Sequence, residues 1–305
     1  MPSASHTVTG LHGNPRLDRY IAEHMGLLSR SQIKARGLEA KINGKAVKVS
    51  HIIKNGDIID LNWNEAEPLN VIPENIHLNI VYENDRVIVV NKPQGMVVHP
   101  GAGNRQGTFA NALSYRRLQK STMECSAAAS STRPGIVHRL DKDTSGIMIA
   151  AYDDEALVFL SEQFKSRKAK KKYFAIVSGI PLDKKGRIET CLSRDPGNRK
   201  RFAVAARGKT AVTAYSVVKS WKGYSLLALK PKTGRTHQLR VHMRYLGHPI
   251  AGDPIYGFSD SLFPGIGLML HARSLKIALP GETSERIFKA PLPRHFSGMI
   301  KLLNG

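Results

Sequence analysis

The stretch Arg133-Pro-Gly-Ile-Val-His-Arg-Leu-Asp-Lys-Asp-Thr-Ser-Gly146, running directly into Ile147-Met-Ile-Ala-Ala151, decides how the rest of the chain is read. The apolar run has the length of a buried strand, and Gly146 closes the polar loop ahead of it. Asp141 therefore stands between a loop and an apolar strand. A carboxylate in such a setting is half-buried or buried and needs a cation partner to keep its charge. On the residues alone, Asp141 reads equally well as a structural turn residue and as a chemical group.

Working outward, short apolar runs recur on both sides: Leu78–Tyr82, Val87–Val90, Tyr173–Val177, Val212–Val218 and Leu226–Leu229. They are joined by turns such as Glu83-Asn84-Asp85, which predicts an α+β domain over residues 76–305 with a mainly antiparallel mixed sheet. A helix beginning near Asp153 carries Leu157, Leu160 and Phe164 on one face. The Ser- and Ala-rich segment Lys120–Thr132 reads as a surface insertion.

Residues 14–64 read as a separate small module. Leu17, Tyr20, Ile21, Met25 and Leu28 recur at helical spacing. Ser29 with Gln32 has the capping-box spacing, and a second helix should stop near Gly37. Asn43-Gly44 and Asn55-Gly56 predict tight hairpin turns. Residues 65–75, with Pro68 and Pro73, read as a linker.

Lys and Arg total 46 against 24 acids in 305 residues, a formal net charge of +22, which points to a polyanionic partner. Two cysteines, Cys125 and Cys191, lie far apart without metal-ligand spacing and fit a reducing compartment: the cytoplasm, or an organelle matrix. No apolar stretch is long enough to span a bilayer, and the expectation is no membrane partner. The glycines at 101, 103 and 107 lack dinucleotide-loop spacing, and no metal or cofactor pattern is found.

Read as His138-Arg139-Leu140-Asp141-x-x-Thr144-Ser145-Gly146, the opening stretch resembles the signature of RluA-type pseudouridine synthases. Further blocks follow in that family's order: Asn91-Lys92-Pro93-x-Gly95-Met96-x-Val98-His99-Pro100; Lys172-Tyr173-Phe174-Ala175-x-Val177-x-Gly179; Thr233-Gly-Arg-Thr-His-Gln-Leu-Arg-Val-His242; and Gly247-His-Pro-Ile-x-Gly-Asp-x-x-Tyr-Gly257. The N-terminal module is similar to the alpha-L RNA-binding motif.

The resemblance implies an enzyme that breaks the bond from ribose to N1 of uracil, turns the base and rejoins it through C5, without a cofactor. It implies Asp141 as nucleophile, Tyr173 as the ring stacked on the base and an aid to proton removal, and Arg235 as the cation pairing with Asp141. Arg139, two positions before Asp141, is implied as the side chain that fills the gap left by a flipped base, with a phosphate contact as the alternative. His138 and His99 read as packed, hydrogen-bonded residues rather than bases. RNA contacts are expected from Arg30, Lys34, Lys41 and Lys45 in the module, and from Lys168, Lys170 and Lys171 in the run Lys165–Lys172. A second basic cluster, Arg194 with Arg199, Lys200 and Arg201, reads the same way. The implied substrate is structured RNA, above all large-subunit ribosomal RNA, bound by a monomer. Transfer RNA, and a non-catalytic RNA-binding assembly protein, are the alternatives.

Overall fold

In the computed structural model, which describes residues 1–11, 13–28, 30–65, 71–101, 103–123, 135–198, 200–257 and 265–305, the chain divides into two compact units, Met1–Asn70 and Val71–Gly305.

In the first unit, the apolar spacing after Leu17 produces α1 (Leu17–Tyr20), which continues as a π-turn over Ile21–Met25 and ends at Gly26 with φ 63°. The second helix, α2, spans Arg30–Ala35; the proposed cap Ser29 lies outside the described residues. Asn43 and Gly44 both adopt positive φ, as a two-residue hairpin turn demands, and join β2 (Glu39–Ile42) to β3 (Lys45–Val47). Asn55-Gly56 also turns but joins no two strands. It leads into β4 (Ile58–Asn62), which pairs antiparallel with β2 and with β1 (Ser3–Thr7). Leu17, Ile21, Ile33, Ile53, Ile59 and Leu61 close the core.

The second unit is built on one large sheet. Its strands are β5 (Ile80–Glu83), β6 (Val87–Lys92), β7 (Ser145–Ala151), β8 (Lys170–Ser178), β9 (Lys185–Arg194), β10 (Phe202–Val204), β11 (Lys209–Trp221), β12 (Tyr224–Pro231), β13 (Leu270–Ala278) and β14 (Glu285–Lys289). The order is β10-β9-β11-β12-β8-β13-β7-β6-β5, with β14 against β13. Every ladder is antiparallel except β7 with β13, so the α+β class with a mainly antiparallel mixed sheet is the one the chain adopts.

Strand parity explains why β6 and β7 are apolar without alternation. Successive side chains point to opposite faces, and here both faces are covered. Ile88, Val90, Met148 and Ala150 pack on one side with Phe109 and Leu113 of α3 (Phe109–Met123) and Phe296 of α6 (Arg294–Asn304). Val87, Val89, Ile147 and Ile149 pack on the other with Ala156 and Leu160 of α4 (Asp154–Lys165). Each Val, Leu, Ile, Met or Phe so buried contributes roughly 1.5–3 kcal/mol. Asp153 caps α4, accepting from Ala156 N at 2.7 Å, and Arg86 holds Asp153 through two hydrogen bonds. Lys120–Met123, expected in the insertion, form the last turn of α3; the rest of that segment to Thr132 lies outside the described residues.

Gly146 is fixed by close approach. Its φ is +116°, and a Cβ there would sit 2.3 Å from the carbonyl oxygen of Ala272. Only glycine lets β7 meet β13 at that point, where Gly146 pairs with Ala272 and Ser145 with His271. The loop bearing Asp141 is thereby delivered to the end of the sheet beside β8.

Candidate active site

The Asp141 loop is held from both sides. Thr144 N donates to Asp141 O at 3.1 Å, closing a turn. The next carbonyl, of Lys142, accepts from Gly95 N at 2.9 Å and from Lys92 Nζ at 3.0 Å. Lys92 is 1% exposed, and its other two bonds go to Pro93 O and Met96 O. Burial pushes its ammonium down to about 7 against the pull of Asp143 and Asp141. Three carbonyls for three N–H donors make Lys92 a clamp between the loop after β6 and the loop of Asp141.

The partner of Asp141 comes from α5 (Gln238–Tyr245). Gln238 fixes the approach to that helix. Its Oε1 accepts from Thr233 Oγ1 at 2.7 Å and Arg235 N at 3.0 Å, while Nε2 donates to Val212 O and Thr213 Oγ1. Arg240 then carries the charge. Its Nε and Nη2 donate to the two oxygens of Asp253 at 2.8 and 2.7 Å, and its Nη1 lies 3.7 Å from Asp141 Oδ2. Its plane also faces the Tyr256 ring, 5.2 Å from the centroid. Asp253, wholly buried, further accepts from Ile255 N and Tyr256 N. Burial works to raise its pKa, but the Arg240 bonds and charge outweigh this and hold it below the usual carboxylate range. Burial likewise opposes the charge of Arg240, and Asp253 and then Asp141 reverse the balance.

The expected Arg235–Asp141 pair is therefore corrected: Arg240 stands in that place. Arg235 precedes α5, and its Nε donates to Thr210 O at 3.1 Å at an exposed position. Side chains of a helix lean toward its N-terminus, so Arg240, inside α5, reaches back over the first turn to Asp141. The sequence did contain the signal, since Arg240 is the second arginine of the quoted block and Asp253 follows in the next. A helix starting near Thr236 is also legible there; what the sequence lacked was the contact with Asp253, which arrives from a later loop and orients Arg240.

Tyr173 sits on β8 between β12 and β13, opposite Leu229 and Ala272, and is 8% exposed. Burial first, and the negative charge of Asp141 second, push its phenol above the ordinary value, so it faces the site as a neutral phenol. Asp141, Tyr173, Arg240, Arg139, Lys171 and Arg235 all line one cleft of about 460 Å³, along with Leu140, Phe164 and His237. That volume admits a nucleotide-sized group.

The other basic residues separate. Arg139 is exposed at the cleft, while Lys171 is half-buried in it beside Phe164, where burial lowers its pKa. Lys168 and Lys170 are exposed and outside it, and Lys170 Nζ donates to Arg167 O. The run Lys165–Lys172 is thus divided by Arg167 at φ 61° between α4 and β8, rather than forming one face. In the first unit, Lys34, Lys41 and Lys45 are exposed and Arg30 pairs with Asp18 at 3.1 Å. Arg199 lies outside the described residues. His138 is packed, as expected: Nε2 accepts from Ile149 N at 3.0 Å, the ring stacks on Phe164, and burial pushes it down to about 3. His99 does not line the Asp141 cleft.

Residues 86–245, which carry Asp141, Tyr173 and Arg240, match the family model described as RNA pseudouridylate synthase. The chain belongs to this family. The synthase is 44% identical over 92% of its length to the ribosomal large subunit pseudouridine synthase D of Borreliella burgdorferi, covering 87% of that protein. It is 37% identical to the protein of the same name from Zymomonas mobilis, over 99% and 98% of the two chains. Among solved structures, the human RNA pseudouridylate synthase domain containing 4 superposes with a TM-score of 0.58 at 29% identity, over 74% of this chain and 93% of that one. The synthase is accordingly an isomerase that acts on uridine in RNA.

Proposed function

We propose that this synthase isomerises specific uridines of large-subunit ribosomal RNA, with Asp141 as nucleophile. The observation that carries the reading is Asp141 itself: open to a nucleotide-sized cleft, faced by the cation Arg240, which Asp253 holds in place, and by the buried ring of Tyr173. The substrate class is supported by the names of relatives that match nearly the whole chain.

In this reading the carboxylate of Asp141 adds to the uridine, and Arg240 keeps it oriented and balances the charge that develops. Tyr173 stacks on the base and assists removal of the proton from C5. Arg139, at the cleft mouth, fills the gap left when the base leaves its stack, and Lys171 takes a backbone phosphate. Arg235 contributes at the rim rather than to Asp141. The first unit, Met1–Asn70, binds structured RNA through Arg30, Lys34, Lys41 and Lys45, and the second, Val71–Gly305, carries the chemistry. Lys168 and Lys170 meet phosphates outside the cleft. The enzyme works as a monomer in the cytoplasm, and the reaction needs no cofactor because it neither oxidises nor transfers phosphate.

Pseudouridine mapping by carbodiimide modification and primer extension, on ribosomal and transfer RNA treated with wild type or Asp141→Asn, tests this. Stops in large-subunit RNA with wild type alone are expected. Stops confined to transfer RNA would overturn the substrate, and equal stops with Asp141→Asn would overturn the nucleophile.

A further inference from the structure

His237 holds a backbone conformation its residue type disfavours. It stands at the N-terminal boundary of α5 with φ 56° and ψ 14°, the left-handed region where glycine, asparagine or aspartate is at less cost. Strain of this kind persists where the surroundings over-determine it and the side chain has work to do. The ring lies edge-on to both Phe202 and Tyr256, with centroids 5.9 and 5.6 Å away, and lines the Asp141 cleft.

Its hydrogen bonds assign its tautomer. The Tyr256 hydroxyl accepts from Phe202 N at 2.8 Å and lies 2.9 Å from His237 Nδ1. Tyr256 is 3% exposed, so the phenol proton has to be donated within the protein, and Nδ1 is the acceptor at hand. Nδ1 is then unprotonated, and a neutral ring carries its proton on Nε2. Burial lowers the pKa of this imidazole; Asp141 opposes that, and the positive Arg240 reinforces it. Among the described residues Nε2 has no protein partner, and the residue is only half-buried where it lines the cleft.

The substrate ring has a matching near-symmetry. Turning uracil about the axis through N3 and C6 exchanges N1 with C5 and O2 with O4. A donor fixed beside one carbonyl position therefore meets O2 in one orientation and O4 in the other. When the bond from C1′ to N1 breaks, its electron pair stays with the ring and spreads onto those oxygens. A neutral imidazole N–H stabilises that charge without burying a second cation. We propose that His237 is a catalytic residue whose Nε2–H donates a hydrogen bond to this carbonyl position both before and after the base turns, with Tyr256 fixing the tautomer. The assignment rests on capture of the base at Asp141.

The test uses a short stem-loop containing the mapped target uridine, made with oxygen or sulfur at C4, because sulfur is a poor acceptor. Single-turnover rates and RNA affinities are measured for wild type, His237→Asn and Tyr256→Phe. Asparagine tolerates the left-handed backbone but is too short to reach the base. His237→Asn should slow the oxygen RNA about 100-fold, with Kd unchanged within about 2-fold, as for loss of one oxyanion donor. Sulfur should slow wild type about 10-fold or more and His237→Asn no further, with Tyr256→Phe showing a reduced sulfur effect. Equal sulfur effects in wild type and both variants, or full activity of His237→Asn, would overturn the role of His237. Turnover of the oxygen RNA by Asp141→Asn would instead break the reading on which it rests.

Discussion

Replacing Arg240 by Met removes the two-pronged partner of Asp253, a carboxylate with no exposed side-chain surface. Leaving one member of a buried pair uncompensated costs about 3–5 kcal/mol, so the urea midpoint should fall accordingly and pseudouridine formation should stop. Arg240→Lys keeps the charge but loses the fork, and an unaltered midpoint in both variants would contradict the Arg240–Asp253 pairing. Tyr173→Phe keeps the ring and its burial. Its stability and RNA affinity should stay near wild type while turnover falls about 100-fold or more, measured as product per enzyme in single turnover. A rate equal to wild type would leave the phenol without a chemical part. Arg235→Gln, by contrast, breaks an exposed bond to Thr210 O and should not move the Asp141 chemistry by more than a few-fold.

At the scale of elements, the junction of β7 with β13 is the most sensitive point. Gly146→Ala would drive a methyl into the backbone of Ala272 while forcing a positive φ on alanine. The expected loss is about 3 kcal/mol or more, visible as a drop in Tm, together with lost activity because the Asp141 loop hangs from that strand. Gly95→Ala is the comparison, since it too has positive φ but meets no atom within 4 Å. It should cost only about 1 kcal/mol. If the two variants melt alike, close approach is not what selects glycine at position 146.

For the whole molecule, acid stability follows from three histidines buried as neutral rings. Burial pushes His138 down to about 3 and His242 and His271 to about 4. Each is depressed below its unfolded value near 6.5, so the unfolded chain binds more protons between those limits. Stability is full above pH 6.5 and declines as pH falls toward 4, by at most about 1.4 kcal/mol per unit per histidine. For His138, protonation also breaks the bond from Ile149 N, a strand residue. Urea midpoints should stay level from pH 7.5 to about 6.5 and fall from there to pH 4.5, and a flat profile throughout would be inconsistent with neutral burial. The net charge of +22 acts on binding instead. RNA affinity should drop steeply with salt, and Lys168→Gln with Lys170→Gln should together reduce the log–log slope by about 1.4 to 1.8. An unchanged slope would remove those two lysines from the interface.

The sequence by itself determined the class of sheet, the position of the strands around Asp141 and the family, because strand parity, turn residues and ordered motif blocks are local in the chain. It also put Asp141 in the loop before β7 and Tyr173 on β8, since each borders or lies in a readable apolar run. Only the tertiary structure decided which arginine meets Asp141. Arg235 and Arg240 lie within one short block, and the choice depends on where α5 begins, on the lean of helical side chains and on Asp253 arriving from a later loop. The same holds for Lys92, whose three acceptors come from two loops, and for His237, whose tautomer is set by Tyr256 and by Phe202 on a distant strand. Contacts between side chains far apart in sequence leave no period or spacing to read, which is why the partners of Asp141, Lys92 and His237 emerged only with the fold.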